Sequence, residues 1–330
     1  MRSSILIALS IPAAFALAGC GASSSAPASM GAPSPAPTAA PDDAGTTSPL
    51  SAPTSGYQIV TPDYTIAAGG EKFFCYYTTL PAAATVGVTK YQSQLTPGSH
   101  HMILYATKTN IQPDGTMVEC NDGLGGAAFT GSAGLSSIPV WAYSAQTPDA
   151  ELDMPPGVGV VLGAKQPLIV NMHYLNATSA PLTVHVTLNI ETLAPGVTYQ
   201  PAASFVTYNT QIDIPAHGTQ TVGGSCPVPA GGQFFVMSTH SHSHTMTDTI
   251  SDGTQNLVTT TDWSNPTKRT WDSPFYTFAS GKLTYACQYS NDTDTAITVG
   301  NSAKTNEMCM AVGYLFPASS TTFCLNSTEL

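Results

Sequence analysis

From Tyr57 to the C-terminus, short runs of alternating apolar and polar residues recur, parted by Gly, Pro, Asn and Ser. Alternation with period two puts successive side chains on opposite faces of an extended chain, so each run predicts a strand. Lys72-Phe73-Phe74-Cys75-Tyr76-Tyr77 and His101-Met102-Ile103-Leu104-Tyr105 are two such runs. Leu168-Ile169-Val170-Asn171-Met172-His173-Tyr174 and Leu182-Thr183-Val184-His185-Val186-Thr187-Leu188 are two more. The turn residues Asn176 to Pro181 between them predict a hairpin. Leu193-Ala194-Pro195-Gly196 reads as a domain boundary, followed by runs at 205–214, 220–222, 233–244, 257–261, 282–289 and 308–316. The Gly-, Ser- and Ala-rich stretch 121–150 predicts a long loop. No stretch has convincing helical periodicity, so the pattern predicts an all-β protein of sandwich or jelly-roll type.

The first 56 residues follow another logic. Arg2 precedes an apolar stretch at 5–18 that is too short to span a bilayer, which predicts an export signal over 1–19. It ends in Leu17-Ala18-Gly19-Cys20, which resembles the bacterial lipobox cleaved before a lipid-bearing cysteine. Cys20 would then anchor the chain, and Gly21 is compatible with the outer membrane. Residues 20–56, mostly Ala, Ser, Pro and Thr, cannot bury enough surface to offset their ordering entropy and predict a disordered tether. The expected location is therefore outside the cytoplasm, periplasmic or at the surface, on a membrane.

Composition narrows the partners. Of 330 residues only 9% are charged, the net charge is −11 and no basic stripe exists, which argues against nucleic acid. Setting Cys20 aside leaves Cys75, Cys120, Cys226, Cys287, Cys309 and Cys324. An even number in an exported chain predicts disulfides, with fifteen possible connectivities. Bridges internal to each domain would force Cys75–Cys120 and leave the later four open.

The chemistry gathers on histidine. Six of the eight histidines fall in three places: His100-His101, His173, and His240, His242 and His244 after the apolar run from Gln233. Residues at i, i+2 and i+4 share a strand face, so the last three would project together as metal ligands. Neighbours such as His100 and His101 point apart on a flat strand and need a bulge, or different ring nitrogens, to act jointly. His185 reads as solvated and His217 as a turn residue. Met308 and Met310 share a face, with Cys309 on the other, where it can bridge Cys287. A thioether beside two imidazoles is a soft donor set that favours copper.

Taken together, Ser99-His100-His101-Met102, His173-Tyr174, Thr239-His240-Ser241-His242 and Glu307-Met308-Cys309 resemble the ascorbate-dependent type II copper monooxygenases. These include the peptidylglycine α-hydroxylating and dopamine β-hydroxylating enzymes. The resemblance spans residues 57–325. It implies two jelly-roll-like antiparallel β-sandwich domains side by side, 57–195 and 196–330, with two coppers on opposite walls of an open cleft. It further implies that His100, His101 and His173 bind an electron-transfer copper. His240, His242 and Met308 would bind the copper that meets oxygen and substrate, with His244 and Met310 as substitutes. It also implies the disulfides Cys75–Cys120, Cys226–Cys324 and Cys287–Cys309. The expected reaction is hydroxylation of a C–H bond by dioxygen, with ascorbate or a similar one-electron reductant.

One departure bears on the substrate. In the peptidylglycine enzymes an arginine, an asparagine and a tyrosine hold the substrate carboxylate; here those positions are Ser238, Met310 and Val312. A small, more apolar substrate is expected instead of a glycine-extended peptide. The competing expectations are a copper store on the same scaffold and a sandwich module for adhesion or carbohydrate.

Overall fold

The computed structural model describes residues 48–120 and 139–330, so the export signal, Cys20 and most of the tether lie outside the described residues. Among the described residues there are strands and turns and no helix. Apolar alternation builds the layers directly: in Lys282–Ser290, for example, Leu283, Tyr285, Cys287 and Tyr289 face inward while their neighbours do not.

In the first half, a five-stranded sheet runs in the order Met117–Glu119, Glu71–Thr79, Pro167–Leu175, Ser99–Ala106, Val140–Ala145. Facing it across a core that includes Phe74, Tyr91, Met102, Leu104, Tyr143, Met172 and Tyr174 are Gly56–Val60, Val186–Thr192, Val86–Leu95 and Val158–Leu162. In the second half, Thr219–Pro227, Lys282–Ser290, Thr245–Ser251 and Asn256–Thr260 form a four-stranded sheet. It packs through Phe205, Phe234, Met237, Ile250 and Leu283 onto Gln200–Tyr208, Met310–Phe316 and Gln233–His240. Val158–Leu162 pairs in parallel with Gln200–Tyr208, so one eleven-stranded sheet passes through both halves across Leu193-Ala194-Pro195-Gly196. Ser48–Leu330 is accordingly one compact unit.

Three expectations change. The hairpin around 176–181 does not form: Pro167–Leu175 pairs with Glu71–Thr79 and Ser99–Ala106, while Leu182–Val184 pairs with Tyr64–Ile66. The Asn176 side chain is the cause. It donates to the carbonyls of Ile66, Ala67 and Ala180 and turns the chain over to the opposite sheet. Of the loop expected over 121–150, residues 121–138 lie outside the described residues, and the remainder holds the strand Val140–Ala145, paired with Ser99–Ala106, and the start of Asp149–Asp153, paired with Val86–Leu95. The end of the expected tether lies against the sandwich, with the Leu50 amide on Gln94 Oε1 and the Ser51 carbonyl on Asn189 Nδ2.

Disulfides join Cys75–Cys120, Cys226–Cys324 and Cys287–Cys309, the pairs implied by the resemblance.

Candidate metal centre

His101 and His173 stand directly opposite each other on paired strands. The ladder then slips: Tyr174 partners Ser99, which leaves His100 as the extra residue of a β-bulge. A bulge re-aims one side chain, and here it lets two consecutive histidines face the same space. The ring of His100 lies 5.0 Å from that of His101 and 4.9 Å from that of His173.

His240 is the last residue of its strand, and His242 sits in the turn beyond it. The shared-face geometry therefore does not extend through His244, which is half-exposed and contributes backbone bonds. The turn is shaped by Glu307, whose fully buried carboxylate accepts from the amides of His242 (2.9 Å) and His244 (2.6 Å).

The expected open cleft between the two sets is absent. His240 lies 5.2 Å from His100 and 5.1 Å from His101, ring to ring, and His242 lies 5.3 Å from His100. Donor nitrogens of His100, His101 and His173 come within 4.8 Å of one another, and so do those of His100, His240 and His242. His100 thus belongs to both groups. Contacts across the halves hold them together: Gln146 Oε1 accepts from His240 Nδ1 at 2.6 Å, and Glu71 reaches Ser302 and Ala303.

Each ring has one nitrogen spoken for, or one left over. His173 Nε2 donates to Glu71 Oε1 (2.8 Å), His240 Nδ1 to Gln146, and His242 Nδ1 to the Asn306 carbonyl (3.0 Å). Such bonds fix the tautomer and leave the other nitrogen bare. His100 Nε2, His101 Nδ1, His173 Nδ1, His240 Nε2 and His242 Nε2 are all buried with no hydrogen-bond partner. A buried polar atom left unpaired costs about 1–3 kcal/mol. Five converging on one place form a nitrogen donor set that a copper ion fits.

Electrostatics point the same way. Burial holds His100, His101 and His240 well below the usual histidine pKa and His242 at about 4. For His173 burial also wins, although Glu71 opposes it. The rings are neutral at pH 7, as metal ligation requires. At Glu71, burial works to raise the pKa, but the bonds from His173, Ser302 and Ala303 outweigh it and hold it at about 2. Burial pushes Glu307 up to about 7, against the pull of the His244 and His242 amides. Asp248, buried beneath Ser241 and accepting its hydroxyl at 2.6 Å, rises likewise to about 7.

Met308 follows Glu307 directly and lies in a small apolar cluster with Val206, Tyr208, Met310 and Val312. Met310 is the residue paired with His240 across the strands. Ser238 and Val312, themselves paired, line a cleft of about 480 Å³ with Tyr143, Gln146, Val236 and Tyr314. Neither His185, bonded to Asp63, nor His217, bonded to Asp294 in a turn, approaches the centre.

Sequence reasoning missed Glu71, Gln146 and Asn306 as holders of the rings, and it quoted Glu307 without a role. It also missed Phe73, stacked 3.8 Å from the His173 ring, and Trp263, whose ring lies 5.4 Å from His100. Only Phe73 gave a signal, standing opposite His173 on a recognisable strand.

No curated protein matches the sequence. Among solved structures the chain resembles the major capsid protein P2 of bacteriophage PM2, at 10% identity over 78% of this chain and 97% of that one, TM-score 0.30. It also resembles PNGase F, a glycosylasparaginase from Flavobacterium meningosepticum, at 10% identity over 83% and 98%, TM-score 0.38. Likenesses that distant carry no weight here. The part of the chain that holds His240, His242 and Met308 gives the firmer result: residues 200–330 match the family of the copper type II ascorbate-dependent monooxygenase, C-terminal domain.

Proposed function

We propose that the protein is a copper-dependent monooxygenase that hydroxylates a C–H bond of a small organic molecule. The observation that carries this reading is the convergence of five buried, partnerless imidazole nitrogens, two of them in the region matched by the family. His100, His101 and His173 would hold one copper, and His240, His242 and Met308 the other, with His100 within reach of both. Copper, when bound, supplies one-electron storage at each position and the site of dioxygen reduction. Hydroxylation consumes one O2, two electrons and two protons and yields an alcohol and water, the electrons coming from ascorbate or a similar one-electron donor.

The residues of the chain perform the remaining work. Glu71, Gln146 and the Asn306 carbonyl orient His173, His240 and His242 so that one chosen nitrogen of each ring faces the metal. Phe73 and Trp263 cover rings and keep water from the centre. The cleft beside Gln146 offers Val236, Val312, Tyr143 and Tyr314 to a substrate, and its Lys268 is already bonded to the Glu151 carbonyl. That supports a neutral, partly apolar substrate over a carboxylate. Export and a lipid anchor at Cys20, on the outer membrane, complete the proposal.

Copper analysis with ascorbate-driven oxygen uptake tests it. Two coppers with substrate-dependent uptake support the enzyme. Two without uptake favour a copper store, and none returns the chain to a plain sandwich module.

A further inference from the structure

Glu71 opens the strand Glu71–Thr79 in the first half, yet two of its three partners lie in the second. Its Oε1 accepts from His173 Nε2 and from the Ala303 amide, both at 2.8 Å, and its Oε2 accepts from the Ser302 hydroxyl at 2.7 Å. Segment 302–306 is tied into one turn. The Asn306 amide donates to the Ser302 carbonyl at 3.0 Å, and the Ser302 hydroxyl accepts the amides of Lys304 and Thr305. Lys304 adds a second tie to the first half through the Gly69 carbonyl at 2.9 Å. The far end of that turn is Asn306, whose carbonyl holds His242 Nδ1.

A continuous set of bonds therefore runs from His173 through Glu71 and the turn to His242. We propose that Glu71 is a positioning residue that sets the two imidazole groups in register with one another. A carboxylate is the one group here that can accept three hydrogen bonds at once from an imidazole, an amide and a hydroxyl. The same carboxylate makes His173 a more basic ligand, as partners behind metal-bound histidines do. A change made at a first-half residue is thus felt at a second-half ligand.

The test uses the full chain. Long-range ¹H–¹⁵N spectra of the histidine rings are recorded on the metal-free protein, and Cu(I) affinity is read by competition with a chromogenic chelator. In Glu71→Gln, the amide NH2 cannot accept, so the Ser302 hydroxyl and the Ala303 amide cannot both keep the side chain as their acceptor. The ring signals of His173 and His242 both move, and the copper on His100, His101 and His173 is held about 10- to 100-fold more weakly. In Ser302→Ala, the His242 signals move while His173 keeps its bond to Glu71 and its signals stay. His242 signals unmoved in both variants overturn the proposal, because a purely local role for Glu71 would leave them in place. If Glu71→Gln fails to fold, the Ser302→Ala spectrum decides alone. Only the affinity measurement rests on the copper reading; a parent chain that takes up no copper sinks that reading, while the ring signals still decide the role of Glu71.

Discussion

In the first half the chain leaves the strand Pro167–Leu175 through Asn176, which donates to the carbonyls of Ile66, Ala67 and Ala180. In the second it leaves Lys282–Ser290 through Asn291, which donates to those of Ile214, Pro215 and Thr295. Thr178 and Thr293 close both corners on the Asn side-chain oxygen, at 2.7 and 2.8 Å. Two residues earlier, Tyr174 and Tyr289 each send a hydroxyl to a distant carbonyl, at 2.9 and 2.8 Å. The corner repeats because each half faces the same problem of carrying a strand's end across to the opposite sheet. The imidazoles do not repeat. In the first half they stand on paired strands and the backbone ladder places them; in the second they stand at a strand's end and beyond, where Glu307 and Asn306 place them. The scaffold is shared, and the way each half fixes its ligands is its own.

Removing Glu307 tests this contrast most severely. Glu307→Ala strips the partner from the amides of His242 and His244, and each buried amide left unpaired costs about 1–3 kcal/mol. The expected result is a marked drop in melting temperature and a copper content falling from two ions to one. The retained ion is that of His100, His101 and His173, whose strands do not depend on this carboxylate. Metal analysis beside thermal unfolding reads both effects. Two ions retained in a folded variant would mean that the turn holds its shape without the carboxylate.

A lesser effect is expected from single histidines, and it sharpens the comparison at the point where the halves meet. His100 lies in both ligand groups. His100→Ala should weaken both ions, His101→Ala mainly the one in the first half, and His244→Ala neither. Competition titrations with a copper chelator give the three patterns. If His100→Ala weakened one ion only, the two sets would function as the separate centres that the family resemblance implies.

How much of this could be read from the chain follows from the range of each force. Strands such as Lys282–Ser290 were legible because alternation is local and burial enforces it. The converging histidines were legible because three short motifs keep their residues together in sequence. The bulge at His100 could be stated only as a condition, since it depends on the register of a strand some seventy residues later. The hairpin failed because the choice of pairing lay with the long-range bonds of Asn176. Glu71 and Gln146 were silent because a lone polar residue at a strand's edge is the commonest pattern there is. Their partners, Ser302 and His240, lie 231 and 94 residues away.

The pH response of the metal-free protein is a gentler probe of the same contrast. Burial depresses all five rings, so on acidification the unfolded chain takes up protons near pH 6.5 that the folded chain refuses. Stability is therefore lost as the pH falls, by up to about 1.4 kcal/mol per pH unit for each ring. Glu307 and Asp248 act in reverse. Folded, they keep their protons to about pH 7; unfolded, they release them near pH 4, so they take stability away as the pH rises between those limits. Five groups outweigh two, and the melting temperature should rise between about pH 5 and 6.5. Asp248→Asn, which removes one opposing group from the second half, should steepen that rise. A flat or falling profile in the parent chain would mean that the rings accept protons inside the fold.

The smallest expected effect concerns Trp263, which a second-half loop lays against a first-half ligand, its ring 5.4 Å from that of His100 at 63°. Asp262 shapes that loop by accepting the amides of Ser264 and Asn265, so the indole is carried on a turn of its own and packs on neither core. Trp263→Phe should then leave stability within about 0.5 kcal/mol, as changes on exposed loops usually do. Its spectroscopic effect should be plain. Copper(II) held by His100 would lie close to the indole and quench its emission, whereas Trp271 packs on Tyr276 and Trp141 on Tyr105 and the Met310 cluster. Titrating copper into the parent chain should quench the tryptophan fluorescence, and the variant should lose the larger part of that response while still binding the metal. Equal quenching in both would show that the loop does not cover His100 in solution.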